Sequence, residues 1–260
     1  MQEPPGDIRG LLIDLDGVIY TGESLIEGAG ELPDILEERR IPYLFVSNST
    51  RRCRASIVAR LSNMGFRTRE ERILTPAIVA AGELQRRGIK KCHLLATGDV
   101  WKDFFEAGVE PFGESADVVV VADAGDNFTY ERLTKAFRML LDGAELIALE
   151  HDRYWMGADG LMLSAGPFVS ALEYASGVTA SVVGKPSNTF FIHALHLLGI
   201  EQEYAAMVGD DIATDIGGAK ACGMMGILIR TGKYLPAAVE RAKIPPDIII
   251  ESIAELPRLL

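Results

Sequence analysis

Short apolar runs that stop at polar residues recur along this chain, with helix-length segments between them. Arg9–Leu15 (RGLLIDL), Tyr43–Ser47 (YLFVS), Asp117–Ala122 (DVVVVA), Glu145–Leu149 (ELIAL), Ala205–Val208, Gly226–Ile229 and Asp247–Ile250 are too short for stable helices. They are too continuously apolar for half-exposed strands, so they read as strands buried on both faces. Cys92–Ala96 and Ser181–Val183 are weaker strand candidates. Helices are expected over about 30–39, up to Met64 with Gly65 as cap, from Thr75-Pro76 onward, and over 129–141, 168–175, 188–198 and 212–221. Thr before Pro is a good helix start, because Thr can cap and Pro tolerates the first turn. Strand–loop–helix alternation of this kind predicts an α/β fold: a doubly wound, Rossmann-like parallel sheet with helices on both faces.

In such sheets ligands sit outside the carboxyl ends of the strands. Three of the runs end there in reactive chemistry: Asp14-Leu15-Asp16-Gly17, Ser47-Asn48 and Gly209-Asp210-Asp211. A fourth loop carries Gly184-Lys185-Pro186. Phosphoryl transfer needs a nucleophile in line with phosphorus, an acid for the leaving oxygen, and positive charge on the phosphoryl oxygens. A carboxylate can be the nucleophile, but two anions repel, so a divalent cation with a taste for oxygen ligands must join them, and Mg²⁺ suits. On this reading Asp14 attacks, Asp16 is acid and then base, and Asp210 completes a metal site. Lys185 neutralises charge, and Ser47 holds a phosphoryl oxygen. Asp211 also fits a plain helix N-cap.

Composition narrows the partners. The 260 residues carry a net charge of −11, with 48% hydrophobic and 24% charged residues. That surface repels nucleic acid and, at long range, phosphorylated metabolites, so a phosphate site must supply its own local positive charge. Cys53, Cys92 and Cys222 are odd in number and widely spaced, which argues against a disulfide frame or a zinc site. The polar N-terminus is unlike a signal peptide, and no apolar run is long enough to cross a bilayer. The expectation is a cytoplasmic protein with no nucleic-acid or membrane partner. His193 and His196 stand three apart on one helix with no third ligand in register, and Cys53 lies beside Arg51 and Arg52. Neither carries a chemical role at this stage.

Asp14-Leu15-Asp16-Gly17-Val18-Ile19-Tyr20 resembles the first motif of the haloacid dehalogenase (HAD) superfamily. Val46-Ser47-Asn48-Ser49 resembles the second, Gly184-Lys185-Pro186 the third, and Gly209-Asp210-Asp211-Ile212-Ala213-Thr214-Asp215-Ile216 the fourth. Their order along the chain is that of the family, and nearly the whole chain is covered. Asn48 and Lys185 stand far enough apart to leave room for an inserted domain of about 100 residues between the second and third motifs, which resembles the subclass IIA, NagD-like branch. Asp123–Tyr130, Arg153-Tyr154-Trp155, Asp159-Gly160, Gly166-Pro167-Phe168 and Thr231-Gly232-Lys233-Tyr234 are similar to that branch too.

The resemblance implies a HAD-like core from residues 1–76 and 180–260, and an inserted α/β cap of the C2 type over 77–179. It implies a Mg²⁺-dependent phosphatase acting on a small phosphorylated metabolite. Asp14 would be the nucleophile and Asp16 the acid/base. Mg²⁺ would sit on Asp14, the Asp16 carbonyl and Asp210, and Ser47, Asn48 and Lys185 would bind phosphate. Asp215 would support Lys185 or a metal-bound water, with Asp211 beside it. Relatives often pair through the cap, so a homodimer is implied. Asp126, Tyr130, Arg153 and Trp155 are cap candidates for selecting the leaving group. Two other chemistries use similar parts: a phospho-acceptor domain and a phosphomutase. An acceptor gains nothing from Asp16, which would speed loss of the phosphate, whereas a mutase keeps the second Asp.

Overall fold

The computed structural model describes residues 7–157 and 160–260. Asp159, one of the residues of the resemblance, lies outside them. In chain order the elements are β1 (Gly10–Asp14), β2 (Tyr20–Thr21), β3 (Ser24–Leu25), α1 (Leu32–Glu38), β4 (Tyr43–Val46), α2 (Arg54–Asn63), β5 (Ile73–Leu74) and α3 (Pro76–Arg86). There follow β6 (His93–Leu95), α4 (Trp101–Glu106), β7 (Val118–Val121), α5 (Tyr130–Leu141), β8 (Glu145–Ala148), β9 (Tyr154–Gly157), β10 (Gly160–Leu163) and α6 (Gly166–Ser176). The last third holds β11 (Ser181–Val182), α7 (Asn188–Leu198), β12 (Ala205–Gly209), α8 (Gly218–Ala221), β13 (Met225–Ile229), α9 (Pro236–Arg241) and β14 (Ile248–Ile250). Contacts divide the chain into two compact units: residues 1–47, 57–74 and 185–260, and residues 48–56 and 75–184.

The first unit is built on a six-stranded sheet in the order β14-β13-β12-β1-β4-β5, with every pair parallel. β1 is buried along its whole length, which is why its sequence is an unbroken apolar run rather than an alternating one. From β1 the chain runs outward through β4 and β5 on one side, and through β12, β13 and β14 on the other. The direction reverses between β1 and β12, so the switch point falls where Asp14 and Asp210 leave their strands. Leu11, Ile13, Phe45, Val208, Ile227 and Ile248 pack with Leu32, Leu36, Leu61 and Phe66 in its core. Just past β1, β2 and β3 make a small antiparallel flap.

The second unit has a four-stranded parallel sheet, β11-β8-β7-β6. α5 and α6 cover it, with Ala136, Met139, Leu140, Val169 and Leu172 against Val119, Val121 and Leu146. Thr75 caps α3 as expected, and Thr129 caps α5, each accepting a backbone N–H in the first turn. Residues 154–157 and 160–163, to which the sequence reading assigns no element, pair as the antiparallel hairpin β9–β10. Tyr154, Met156, Leu161 and Leu163 of that hairpin are exposed, so it lacks the one-sided burial that gives a strand its sequence signature. Residues 48–56 join this unit because Arg51 reaches 72 positions along the chain to Asp123, with both guanidinium bonds at 2.9 and 3.0 Å.

Candidate active site

Asp14 is the last residue of β1, level with Val46 at the end of β4, so Ser47 begins the neighbouring loop. Ser47 donates its N–H to Leu74 at 3.1 Å, which extends the ladder one step and holds the loop at the sheet edge. On the other flank Ile13 is level with Val208, and β12 runs on through Gly209 into Asp210. Gly209 is required by space: a β-carbon there would collide with the Asp215 carboxylate. After Asp210 the chain enters a wide π-helical turn, Ile212–Gly217, in which Ile216 donates to Asp211, five residues back. Such turns cluster at functional sites, and here the turn brings Asp215 back under the strand end.

Lys185 is buried between two carboxylates. Its ammonium lies 2.5 Å from Asp14 Oδ1 and 2.7 Å from Asp215 Oδ1. Asp14, Asp210 and Asp215 each offer an oxygen within 4.8 Å of the others, and all three are buried. One buried ammonium does not balance three buried carboxylates. Burial pushes Asp14 up to about 7; Lys185 opposes this, and the charges of Asp215 and Asp210 add to it. Burial likewise pushes Asp210 up to about 6, with the Lys233 N–H holding it down and Asp215 adding. Burial pulls the Lys185 ammonium down, but Asp14 and Asp215 raise it well above its ordinary range. The donor set is all oxygen and short of positive charge, which fits a hard divalent cation.

Asp16 is exposed, held in a tight turn in which Gly17 N–H donates to the Tyr20 carbonyl at 2.7 Å. Asp211 has the helix-cap alternative raised above: its Oδ1 accepts from Ala213 and Thr214 at 2.9 and 3.0 Å. Asn48 falls in the second unit, next to Ser47 in sequence. The cap candidates belong to the second unit. Tyr130 is almost fully exposed, Asp126 lies in a short turn, Arg153 is exposed, and Trp155 stacks under the Arg51 guanidinium at 4.9 Å. Cys53 is buried and its thiol is pushed up by that burial, so the neighbouring arginines do not activate it. No histidine joins a metal-competent cluster among the described residues.

The sequence reading passed over one residue of the site, Lys233. Its backbone N–H donates to Asp210 Oδ2 at 2.7 Å. Desolvation lowers its ammonium, and Asp211, Asp210, Asp14 and Asp215 together raise it more. Its position in Thr231-Gly232-Lys233-Tyr234 was the available signal, but a main-chain contact leaves no trace in residue type.

Comparison with known proteins gives the family. The family model for haloacid dehalogenase-like hydrolases matches residues 11–110, and a second, HAD-hydrolase-like, matches residues 182–256. Human phospholysine phosphohistidine inorganic pyrophosphate phosphatase is 37% identical over 259 residues, covering 97% of this chain and 94% of that protein. The crystal structure of 4-nitrophenylphosphatase from Thermotoga maritima superposes with a TM-score of 0.89 at 30% identity, covering 97% of this chain and 98% of the other. NagD from Escherichia coli shares the fold, with a TM-score of 0.87 at 24% identity over 96% of this chain and 98% of the other. No helix among the described residues is long and apolar enough to cross a membrane. The chain belongs to the haloacid dehalogenase-like hydrolases, in their NagD-like branch, and is a phosphatase.

Proposed function

We propose that this phosphatase is Mg²⁺-dependent, works through an aspartyl-phosphate on Asp14, and acts on a small phosphorylated metabolite. The observation that carries the reading is the buried cluster of Asp14, Asp210 and Asp215, with the buried Lys185 ammonium bonded to Asp14 and Asp215. Asp14, Asp210 and the Asp16 carbonyl would hold Mg²⁺, which supplies positive charge to the phosphoryl oxygens and lets two anions meet.

Asp14 attacks phosphorus, and the bond to the leaving oxygen breaks as Asp16 gives that oxygen its proton. Water then attacks the phosphorus of the acyl phosphate. Asp16, now a carboxylate, takes the water proton, and the Asp14 carboxylate departs. Exposure of Asp16 supports this role, because it must meet the leaving group and then solvent. Lys185 neutralises Asp14 and the incoming phosphoryl group, and Asp215 fixes its ammonium at 2.7 Å. Ser47 and Asn48 are read as donors to the phosphoryl oxygens. The human relative's name joins P–N and P–O–P compounds, so phosphoramides and pyrophosphate stand beside monoesters as candidate substrates.

Asp16→Asn provides the test. A nitrophenyl leaving group needs little protonation, so the variant should still transfer phosphate to Asp14 from p-nitrophenyl phosphate. Hydrolysis should slow by about 10²-fold or more for want of a base. Intact-mass measurement should then show protein heavier by one phosphoryl group, released by hydroxylamine. An Asp16→Asn protein that turns over like wild type, with no trapped species, would rule out the assignment. A long-lived phosphoprotein in wild type itself would favour the phospho-acceptor reading.

Mg²⁺ and pH should also be linked. With Asp14 near 7 and Asp210 near 6, the metal-free folded chain binds more protons than the unfolded chain between about pH 4 and 7. Stability from these groups therefore falls as pH rises through that window. Bound Mg²⁺ removes the penalty, and below about pH 6 protons compete for the same oxygens. Saturating Mg²⁺ should raise the thermal midpoint by about 5 °C or more at pH 7.5 relative to EDTA, and by much less at pH 5. Equal shifts at both pH values would contradict a carboxylate-held cation.

A further inference from the structure

Past β13 the chain turns through Thr231-Gly232-Lys233 and touches both the Asp16-bearing turn and Asp210. Thr231 donates its hydroxyl to the Gly17 carbonyl. Lys233 donates its N–H to Asp210 Oδ2 at 2.7 Å. Gly17 and Gly232 face each other across the same oxygen. A β-carbon on either would fall on Asp210 Oδ2, and one on Gly232 would also stand 2.6 Å from the Gly17 α-carbon. Both glycines have positive φ, +84° and +56°, so backbone and space each demand glycine there.

We propose that the Thr231-Gly232-Lys233 loop is a positioning element that sets the Asp210 carboxylate and ties it to the turn carrying Asp16. This rests on the metal reading given above. One oxygen of Asp210 is held by the Lys233 N–H and wedged between two α-carbons, so the carboxylate cannot rotate without displacing the loop. That leaves the other oxygen to a cation in a fixed direction. The Thr231 hydroxyl makes the same loop hold the carbonyl of Gly17, the residue after Asp16. The loop after β13 thereby links the ends of β1 and β12 at the sheet edge. Partners that orient a ligand in this way typically contribute 10–100-fold to metal affinity.

The test is Mn²⁺ binding, read from the electron paramagnetic resonance of free Mn²⁺, so that activity is not the readout. Gly232→Ala should weaken binding by about tenfold or more, and Thr231→Val by several-fold. Thr231→Ser keeps the hydroxyl and should bind like wild type. Gly199→Ala is the control for backbone strain alone: Gly199 has φ +66° and open space around its β-position. It should lose some stability, of about the same size as the left-handed strain in Gly232→Ala, and bind Mn²⁺ unchanged. If Gly232→Ala fails to fold, Thr231→Val against Thr231→Ser decides. Folded Gly232→Ala and Thr231→Val proteins that bind Mn²⁺ like wild type would overturn the positioning role while leaving the metal site standing. Wild type that binds no Mn²⁺, with or without the loop changes, would overturn the metal reading and this inference together.

Discussion

Replacing Asp14 by asparagine should lower kcat on p-nitrophenyl phosphate by about 10⁴-fold or more while leaving the protein folded. Asparagine is nearly isosteric with the carboxylate but cannot form an acyl phosphate, so the covalent route closes and only residual electrostatic catalysis remains. On stability the expectation runs opposite to the usual one for a buried ion pair. Asp14 touches Lys185 at 2.5 Å, and removing one partner of a buried pair ordinarily destabilises. Here Asp215 stays on the same ammonium at 2.7 Å, so Lys185 is not abandoned. Burial and two neighbouring carboxylates have already pushed Asp14 up to about 7, so its charge is a net liability in the metal-free chain. Asp14→Asn in EDTA at pH 7.5 should therefore melt no lower than wild type, and its margin should shrink toward pH 5, where Asp14 is protonated in the folded chain and its charge no longer crowds the cluster. A variant with near-wild-type kcat would remove Asp14 as nucleophile; an unfolded one would show that the Lys185–Asp14 pair outweighs the crowding.

What could be read in the sequence follows from which interactions leave a residue-type signature. Buried parallel strands do: Tyr43–Val46 and Val118–Val121 are unbroken apolar runs because both faces are covered. Helix caps do as well, and α7 runs from Asn188 to Leu198 as expected, with Ser187 before it and Gly199 after it. The carboxylates at the ends of β1 and β12 were legible because polar residues at the end of an apolar run need a reason. The flap β2–β3 was not, since two-residue strands have no period to detect. The hairpin β9–β10 was not, because exposure on both faces removes alternation. Residues 48–56 belong with the second unit through Arg51 and Asp123, a pair far apart in sequence whose partnership no local pattern encodes. Lys233 escaped for a different reason: the group it gives Asp210 is its backbone N–H, which every residue except proline has.

The same cluster makes Lys185 the side chain whose loss should be felt in both stability and rate. Lys185→Met keeps length and apolar bulk but removes the ammonium shared by Asp14 and Asp215. Three carboxylates then face one another, with the Lys233 ammonium, on an exposed residue, as the nearby positive charge. At pH 7.5 without metal the variant should lose about 3–5 kcal/mol, the usual consequence of stranding buried charge. The loss should shrink toward pH 5. Removing the cation raises the carboxylates further, so the folded variant takes up protons that the unfolded chain does not, and acid repays the missing charge. Mg²⁺ should restore part of the stability, because it too neutralises the cluster. Activity should stay down by about 10³-fold, because positive charge fixed beside the nucleophile is lost from the transition state. Lys185→Arg should not rescue it: a planar guanidinium is wider than an ammonium and cannot bond Asp14 and Asp215 from one point. Melting curves at the two pH values, with EDTA and with Mg²⁺, beside kcat on p-nitrophenyl phosphate, separate these effects. A Lys185→Met enzyme that keeps wild-type kcat once Mg²⁺ is added would mean that Lys185 serves only to balance charge in the fold.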